Sequence, residues 1–167
     1  MMLQACYRTV HEFDAWLPAF ARGTEPVEKL VKAAVLSISV YCVADKYDAL
    51  DIRHYTAYAA ASLLGIALSH FEKNSSNPQL PSMIIGFGDI LKKTYEVTGH
   101  RNSEDRLRTM ILDTIMGDRA TQPFGSAEFG PLVPEVVRLA AAIPDFGSDM
   151  FLRLVGRAVI SVVPRKH

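Results

Sequence analysis

An excess of charge of either sign is missing from this sequence. Its 167 residues carry 18 Lys and Arg against 18 Asp and Glu, so the formal net charge is zero. A nucleic-acid binder needs clustered basic residues to neutralise phosphates, and the longest basic cluster is the final Arg165-Lys166-His167. We therefore expect no nucleic acid among the partners. A near-neutral surface also gives little protection against self-association.

Cysteine is almost absent, since Cys6 and Cys42 are the only two and no CxxC pair occurs. Two cysteines do not make the disulfide framework of a small secreted domain. Both occur in apolar helical patterns, so we expect two buried, unreactive side chains in a reducing compartment.

A membrane-spanning run and a signal peptide are missing as well. The uncharged stretch from Ala33 to Ala44 is shorter than the roughly 20 residues that cross a bilayer. The N-terminus has no basic stretch followed by an apolar run. The sequence therefore predicts a soluble protein of the cytoplasm or nucleus, with no membrane as a partner.

Alternation of apolar and polar residues, the mark of a strand, is not found, whereas helical spacing is frequent. One helix is predicted from Val27, because its apolar residues share one face: Val27, Leu30, Val31, Ala34, Ile38, Tyr41 and Cys42. A second is predicted over 49–71. Others are predicted over 2–10, 83–97, 104–116, 133–142 and 149–163, with Gly86 and Gly88 interrupting the helix over 83–97. The pattern predicts a mainly α fold with little or no β-sheet.

The polar stretch Asp45-Lys46-Tyr47-Asp48 separates the first two long helices. A connection this short predicts an antiparallel helical hairpin. We expect Asp45 to accept hydrogen bonds, Lys46 to be solvated and Tyr47 to seal the corner with its ring. Asp48 is expected to cap the second helix, with Asp51 completing a weak capping box. These roles are structural rather than catalytic.

Residues that could carry chemistry are scattered. No two histidines have zinc-ligand spacing; they are His11, His54, His70, His100 and His167. Gly86-Phe87-Gly88 lacks the third glycine of a dinucleotide loop, and Cys42 is expected to be too buried for a nucleophile. The charged run from Glu104 to Arg108 is expected to be a solvated first turn. The sequence predicts no catalytic residue, no metal site, no cofactor and no enzyme.

The string Val40-Tyr41-Cys42-Val43-Ala44-Asp45-Lys46-Tyr47-Asp48, followed by Ile52, resembles the "VY-x-x-ADKYD...L" element of BTB/POZ domains, especially the fungal ones. In that family the element is the penultimate helix of the domain, and the next helix pairs with it. Three further segments resemble family segments in the same order. Met1 to Asp14 resembles the part just upstream of this element, and Ile90 to Ile115 resembles the part that follows the domain. Asp145 to Leu154 resembles the usual tail of the fungal members.

The resemblance implies the C-terminal half of a BTB/POZ-like domain over 1–72, built on a helical hairpin of the BTB/POZ type, then a linker over 73–81 and a small helical, BACK-like extension over 82–167. The family's "D-x-x-h" strand and its "H-K/R-x-x-L-x-x-x-S-x-x-F" element are not found in the sequence. We therefore expect only the second half of the domain. The missing half is the one that supplies most of the sheet and the usual homodimer surface in the family.

The function that the resemblance implies is a non-enzymatic protein–protein interaction module. Its partners would be other proteins, another copy of the chain or a cullin scaffold. A narrower alternative is a substrate-recruiting adaptor of a cullin-based ubiquitin ligase. An alternative of another class is a small-ligand-binding helical bundle or an enzyme, which would need a pocket with converging polar groups. Helix faces that lack their sheet would be exposed, so self-association is also expected.

Overall fold

The computed structural model describes residues 8, 11–13, 15, 17–20, 22, 26–73, 80–98, 105–117, 130 and 132–162, and their side chains except those of 70–73, 80 and 156–162. Its helices are α1 (Val27–Lys46), α2 (Leu50–Lys73), α3 (Leu80–Thr98), α4 (Arg106–Met116), α5 (Val133–Ala142) and α6 (Pro144–Val162). Helical residues between 11 and 20 precede α1. No strand occurs in these ranges, which confirms the mainly α class.

The first two helices form a hairpin, joined by residues 47–49. The buried face of α1 has the spacing expected from the sequence, and its members include Val27, Leu30, Ala34, Ile38 and Tyr41. The facing helix α2 buries several small residues, among them Ala57, Ala60 and Ala61. Small side chains let two helix axes approach closely, and the α1–α2 contact is the most extensive among the described helices.

The other helices surround this hairpin. The helix α3 packs on α1, α4 packs on α2, and α5 packs on α6 while also reaching α3. They share one apolar core, whose largest fully buried side chains include Phe13, Phe87, Phe146, Ile38, Leu63, Leu64, Ile90, Leu91, Leu107 and Ile111. Burying each such side chain contributes about 1.5–3 kcal/mol, so packing rather than local preference holds these helices.

The linker predicted over 73–81 falls mostly on residues 74–79, which lie outside the described residues. Leu64 before it and Leu91 after it belong to the same core cluster. The two sides of the connection are therefore packed together. The division into a domain half and an extension remains a prediction.

The helix α3 runs without a break through Gly86 and Gly88, so the predicted interruption is wrong. These glycines lie where neighbouring helices come closest. A Cβ built on Gly86 would overlap the side chain of Val31 on α1, and one built on Gly88 would lie 2.9 Å from Glu135 Oε1 on α5. Gly86 thus allows α3 to pack closely on α1, whereas the neighbour of Gly88 is the far end of a flexible side chain.

The last helix begins earlier than predicted. Pro144 lies in the gap between the helices predicted over 133–142 and 149–163, but it is the first residue of α6, where its fixed φ and missing N–H are tolerated. Gly147, in the same predicted gap, lies within α6, where a Cβ would come 2.6 Å from the Ala140 carbonyl oxygen of α5. Of the helix predicted over 2–10, only Arg8 lies within the described residues, and it is helical.

Candidate functional site

The predicted corner residues lie together at the end of α1. The Arg53 Nη1 group on α2 donates to Asp45 Oδ1 at 2.9 Å, so Asp45 accepts a hydrogen bond that joins the two helices. Lys46 is exposed. Asp48 has a φ of 52°, which turns the chain, and its carbonyl accepts the Leu50 N–H at 3.1 Å.

The expected role of Tyr47 is wrong. Its side chain is 47% exposed, so the ring does not seal the corner. A small apolar cluster of Val40, Ala44 and Ile52 closes it instead. A residue at the turn of the chain points outward because the two helices already fill the space between them.

Cys42 was expected to be buried, and this too is wrong, because its side chain is exposed on α1. The apolar spacing of α1 is wide enough to include it, but none of the helices within the described ranges covers that edge. Cys6 lies outside the described residues.

A hydrogen bond joins α1 to α4 beside the corner. The Tyr41 hydroxyl donates to both carboxylate oxygens of Asp105, at 3.1 and 3.2 Å. Burial, followed by the charge of Asp105, raises the pKa of Tyr41 above its usual value. Asp105 is also the N-cap of α4, where it accepts from the backbone N–H groups of Leu107 and Arg108. One carboxylate therefore caps a helix and anchors it.

The charged run at the start of α4 is not simply solvated, because Arg108 is only 2% exposed. Its Nε–H donates to Thr98 Oγ1 at 2.7 Å, and Nη2 donates to the Thr98 carbonyl at 2.8 Å and to Asp145 Oδ2 at 3.2 Å. Its Nη1 lies 3.7 Å from Asp149 Oδ2. This buried network, comprising Arg108, Thr98, Tyr95, Asp145 and Asp149, joins α3, α4 and α6.

Tyr95 completes the buried network. Its hydroxyl donates to Asp149 Oδ2 at 2.9 Å, and the Arg108 guanidinium carbon lies 4.6 Å from the ring centroid, a cation–π geometry. The edge of Phe146 contacts the ring with 5.5 Å between centroids. Burial, then the Asp149 carboxylate, raises the pKa of Tyr95 well above its usual value. Each of these polar groups is engaged within the protein, so the network is structural.

A shallow, open groove of about 370 Å³ lies beside this network, between α3 and the junction of α5 with α6. Its lining residues are Lys92, Tyr95, Glu96, Ala142, Ile143, Pro144 and Asp145. Two of its polar groups, the Tyr95 hydroxyl and the Asp145 carboxylate, are already bound to Asp149 and Arg108. The groove therefore presents few uncommitted groups for orienting a ligand.

The most prominent exposed feature is a run of apolar side chains on α6. Phe151, Leu152, Leu154 and Val155 are between 43% and 65% exposed, and we call them the α6 face. Arg153 lies among them in sequence, but its side chain forms an ion pair with Asp113 on α4. Sequence reasoning missed this face, although its i, i+3 and i+4 spacing was visible, because spacing alone does not show whether another helix covers it.

The histidines that the sequence scatters along the chain are not gathered in the part of the structure that is described. His11 and His54 are exposed, whereas His100, His167 and the side chain of His70 lie outside the described residues. Among the described residues, no three or more His, Cys, Asp or Glu side chains converge as metal ligands would. Within the same residues, no helix combines the length and the apolar character that a membrane span requires.

Comparison with known proteins adds no relative: no family model, no curated protein and no solved structure matches this chain.

Proposed function

We propose that this chain is a non-enzymatic protein–protein interaction module of the BTB/POZ type, and that the α6 face is its binding surface. One observation carries the proposal. Four large apolar side chains lie within five residues of one helix, little more than one turn, and are 43–65% exposed. Grouped apolar side chains at a surface are characteristic of protein-binding sites.

The way α6 is held supports this proposal. Its first half is anchored, because Phe146 and Met150 are buried in the core and Asp145 and Asp149 bind Arg108. The exposed run begins at Phe151, directly after this anchor. An anchored base thus precedes the α6 face, and a preorganised surface loses less entropy when it binds.

The spacing of the α6 face suits a helical or groove-shaped partner. Phe151, Leu154 and Val155 are at i, i+3 and i+4, the positions with which an amphipathic helix enters an apolar groove. The resemblance of residues 40–48 to the BTB/POZ element gives independent support, because members of that family act as protein-binding modules.

The test is capture of proteins from cell extract on three immobilised forms of the chain. These are the wild type, a double variant with Phe151→Glu and Leu154→Glu, and the control Ile85→Glu. Ile85 on α3 is 63% exposed, so the control adds the same charge at a similarly exposed apolar site. We expect the wild type and the control to retain the same proteins and the double variant to lose them. Retention of that set by the double variant would refute the proposal.

Direct binding to a purified cullin scaffold tests the narrower adaptor function. Binding by the wild type and by Ile85→Glu, with loss in the double variant, would assign the chain to a cullin-based ligase. A wild-type chain that captures other proteins but not the cullin would retain the general function and exclude the adaptor role.

A further inference from the structure

The groove between α3 and the junction of α5 with α6 has a wall of excess negative charge. The buried network beside it contains one cation, Arg108, and two carboxylates, Asp145 and Asp149. Asp149 is buried, whereas the Asp145 side chain is 54% exposed and lines the groove. Among the described residues, no second basic side chain forms an ion pair with either carboxylate. The network therefore holds one carboxylate more than its cation neutralises, and Asp145 presents that charge to the groove.

The other uncommitted polar atoms of the groove are acceptors as well. Glu96 lines it with a side chain that is 68% exposed. Its Oε2 accepts from Lys93 Nζ at 3.2 Å, which leaves its other oxygen for a ligand. Ala142 lines the groove at the end of α5, where the last carbonyl groups lack partners within the helix and carry the negative end of its dipole. Pro144, also in the lining, has no backbone N–H to donate.

One lining residue, Lys92, is basic, but its charge acts on a different carboxylate. A hydrogen bond from Arg138 and, with a smaller effect, the charge of Lys92 lower the pKa of Glu135 on α5. Gly88, one turn before Lys92, lies against the same carboxylate. In the described part of the chain Lys92 forms no ion pair with Asp145, so Asp145 keeps its excess charge.

The remaining lining is apolar, formed by Ile143, Pro144 and the ring of Tyr95. The volume of about 370 Å³ lies within the range of small-molecule sites, about 300–1,000 Å³. We propose that this groove binds a small organic cation, a guanidinium or ammonium head on a short apolar stem. The acceptors Asp145 and Glu96 bind the head, and the apolar lining contacts the stem. The site is separate from the α6 face and does not depend on the proposed function.

An NMR titration of the full, isotope-labelled chain tests the inference. The probe is butylguanidinium chloride, and the controls are butylurea, its neutral isostere, and sodium butyrate, an anion of similar size, all at one ionic strength. We expect the backbone signals of residues 92–96 and 142–145 to shift with butylguanidinium and to saturate. The dissociation constant should be on the order of 1–10 mM, because the groove is shallow and the ligand small. The two controls should produce no saturating shift up to about 50 mM.

Four variants separate the effect of charge from that of packing. Asp145→Asn and Glu96→Gln each remove one carboxylate and should raise the dissociation constant about two- to fivefold, the effect of one exposed charge pair. Lys92→Met removes the cation of the lining and should lower it by a similar factor. The control Asp51→Asn changes an exposed acidic residue in the first turn of another helix, α2, and should have no effect. Circular dichroism checks that each variant keeps the wild-type helix content.

Three results would overturn the inference: no saturating shift with butylguanidinium, equal binding of butylurea, or weaker binding by Lys92→Met as well as by the two carboxylate variants. N-acetyl-arginine N-methylamide presents the same head on a peptide unit and identifies the source of the cation. Binding of both compounds would support the inference with a protein side chain as the ligand. Binding of butylguanidinium alone would support it with a free small molecule as the ligand.

Discussion

Replacement of Arg108 by methionine should be far more damaging than the loss of an exposed ion pair. Methionine has a similar length and no charge, so it fills much of the space and removes the guanidinium. Asp149 is itself buried; it would keep its hydrogen bond from the Tyr95 hydroxyl but lose its ion pair with the Arg108 guanidinium. Leaving a buried charge without its ionic partner typically costs about 3–5 kcal/mol, and Thr98 would lose two donors as well.

Urea unfolding followed by circular dichroism measures this cost. The matched comparison is Asp145→Asn, because the Asp145 side chain is 54% exposed and its pair with Arg108 should contribute less than about 1 kcal/mol. Combining Arg108→Met with Asp149→Asn should cost about 0.5–3 kcal/mol less than the sum of the single changes. If Arg108→Met costs no more than Asp145→Asn, the buried network does not hold α6 in place.

Three further outcomes are expected. Gly86→Ala should lower the free energy of unfolding by about 1–3 kcal/mol, because the added methyl group overlaps Val31. Gly65→Ala, where there is room for a methyl group, should leave it unchanged or raise it by up to about 1 kcal/mol. Equal effects of the two variants in urea unfolding would disprove the close packing of α3 on α1. Tyr47→Ala should change the free energy of unfolding by less than about 1 kcal/mol, since the ring is half exposed; a loss of about 3 kcal/mol in the same assay would show that it packs. The pKa of Tyr95 is raised in the folded chain. The stability that its hydroxyl contributes is therefore fully present below pH about 10, the pKa of tyrosine in the unfolded chain, and is lost as the pH rises above that value. The free energy of unfolding, measured over this pH range, should fall less steeply for Tyr95→Phe than for the wild type. Parallel curves for the two proteins would contradict the raised pKa of Tyr95.

The placement of polar groups explains how a small helical chain can present an apolar helix. The buried network joins α6 to α3 and α4, and the Tyr41–Asp105 bond joins α1 to α4. These contacts stabilise the first half of α6, directly before the α6 face. In the proposed module, internal polar contacts therefore support the binding surface without taking part in binding.

Part of the corner could be predicted from the sequence and part could not. A carboxylate at Asp45 in the last turn of a helix needs a donor, and Arg53 supplies it. The ring of Tyr47 was expected to be covered because an aromatic residue between apolar runs is often buried. It is exposed because Val40, Ala44 and Ile52 fill the corner, an arrangement that depends on how α1 and α2 cross.

The sequence by itself determined the helical class, the face of α1 that is buried, and the hairpin of α1 with α2, because the spacing of apolar residues along one helix is a local property. Only the tertiary structure decided that Arg108 is buried, that Cys42 is exposed and that the α6 face is uncovered. Each of these depends on which distant helix lies opposite. Arg108 is buried because Thr98, Asp145 and Asp149 supply its partners from two other helices, and no pattern within α4 encodes that meeting.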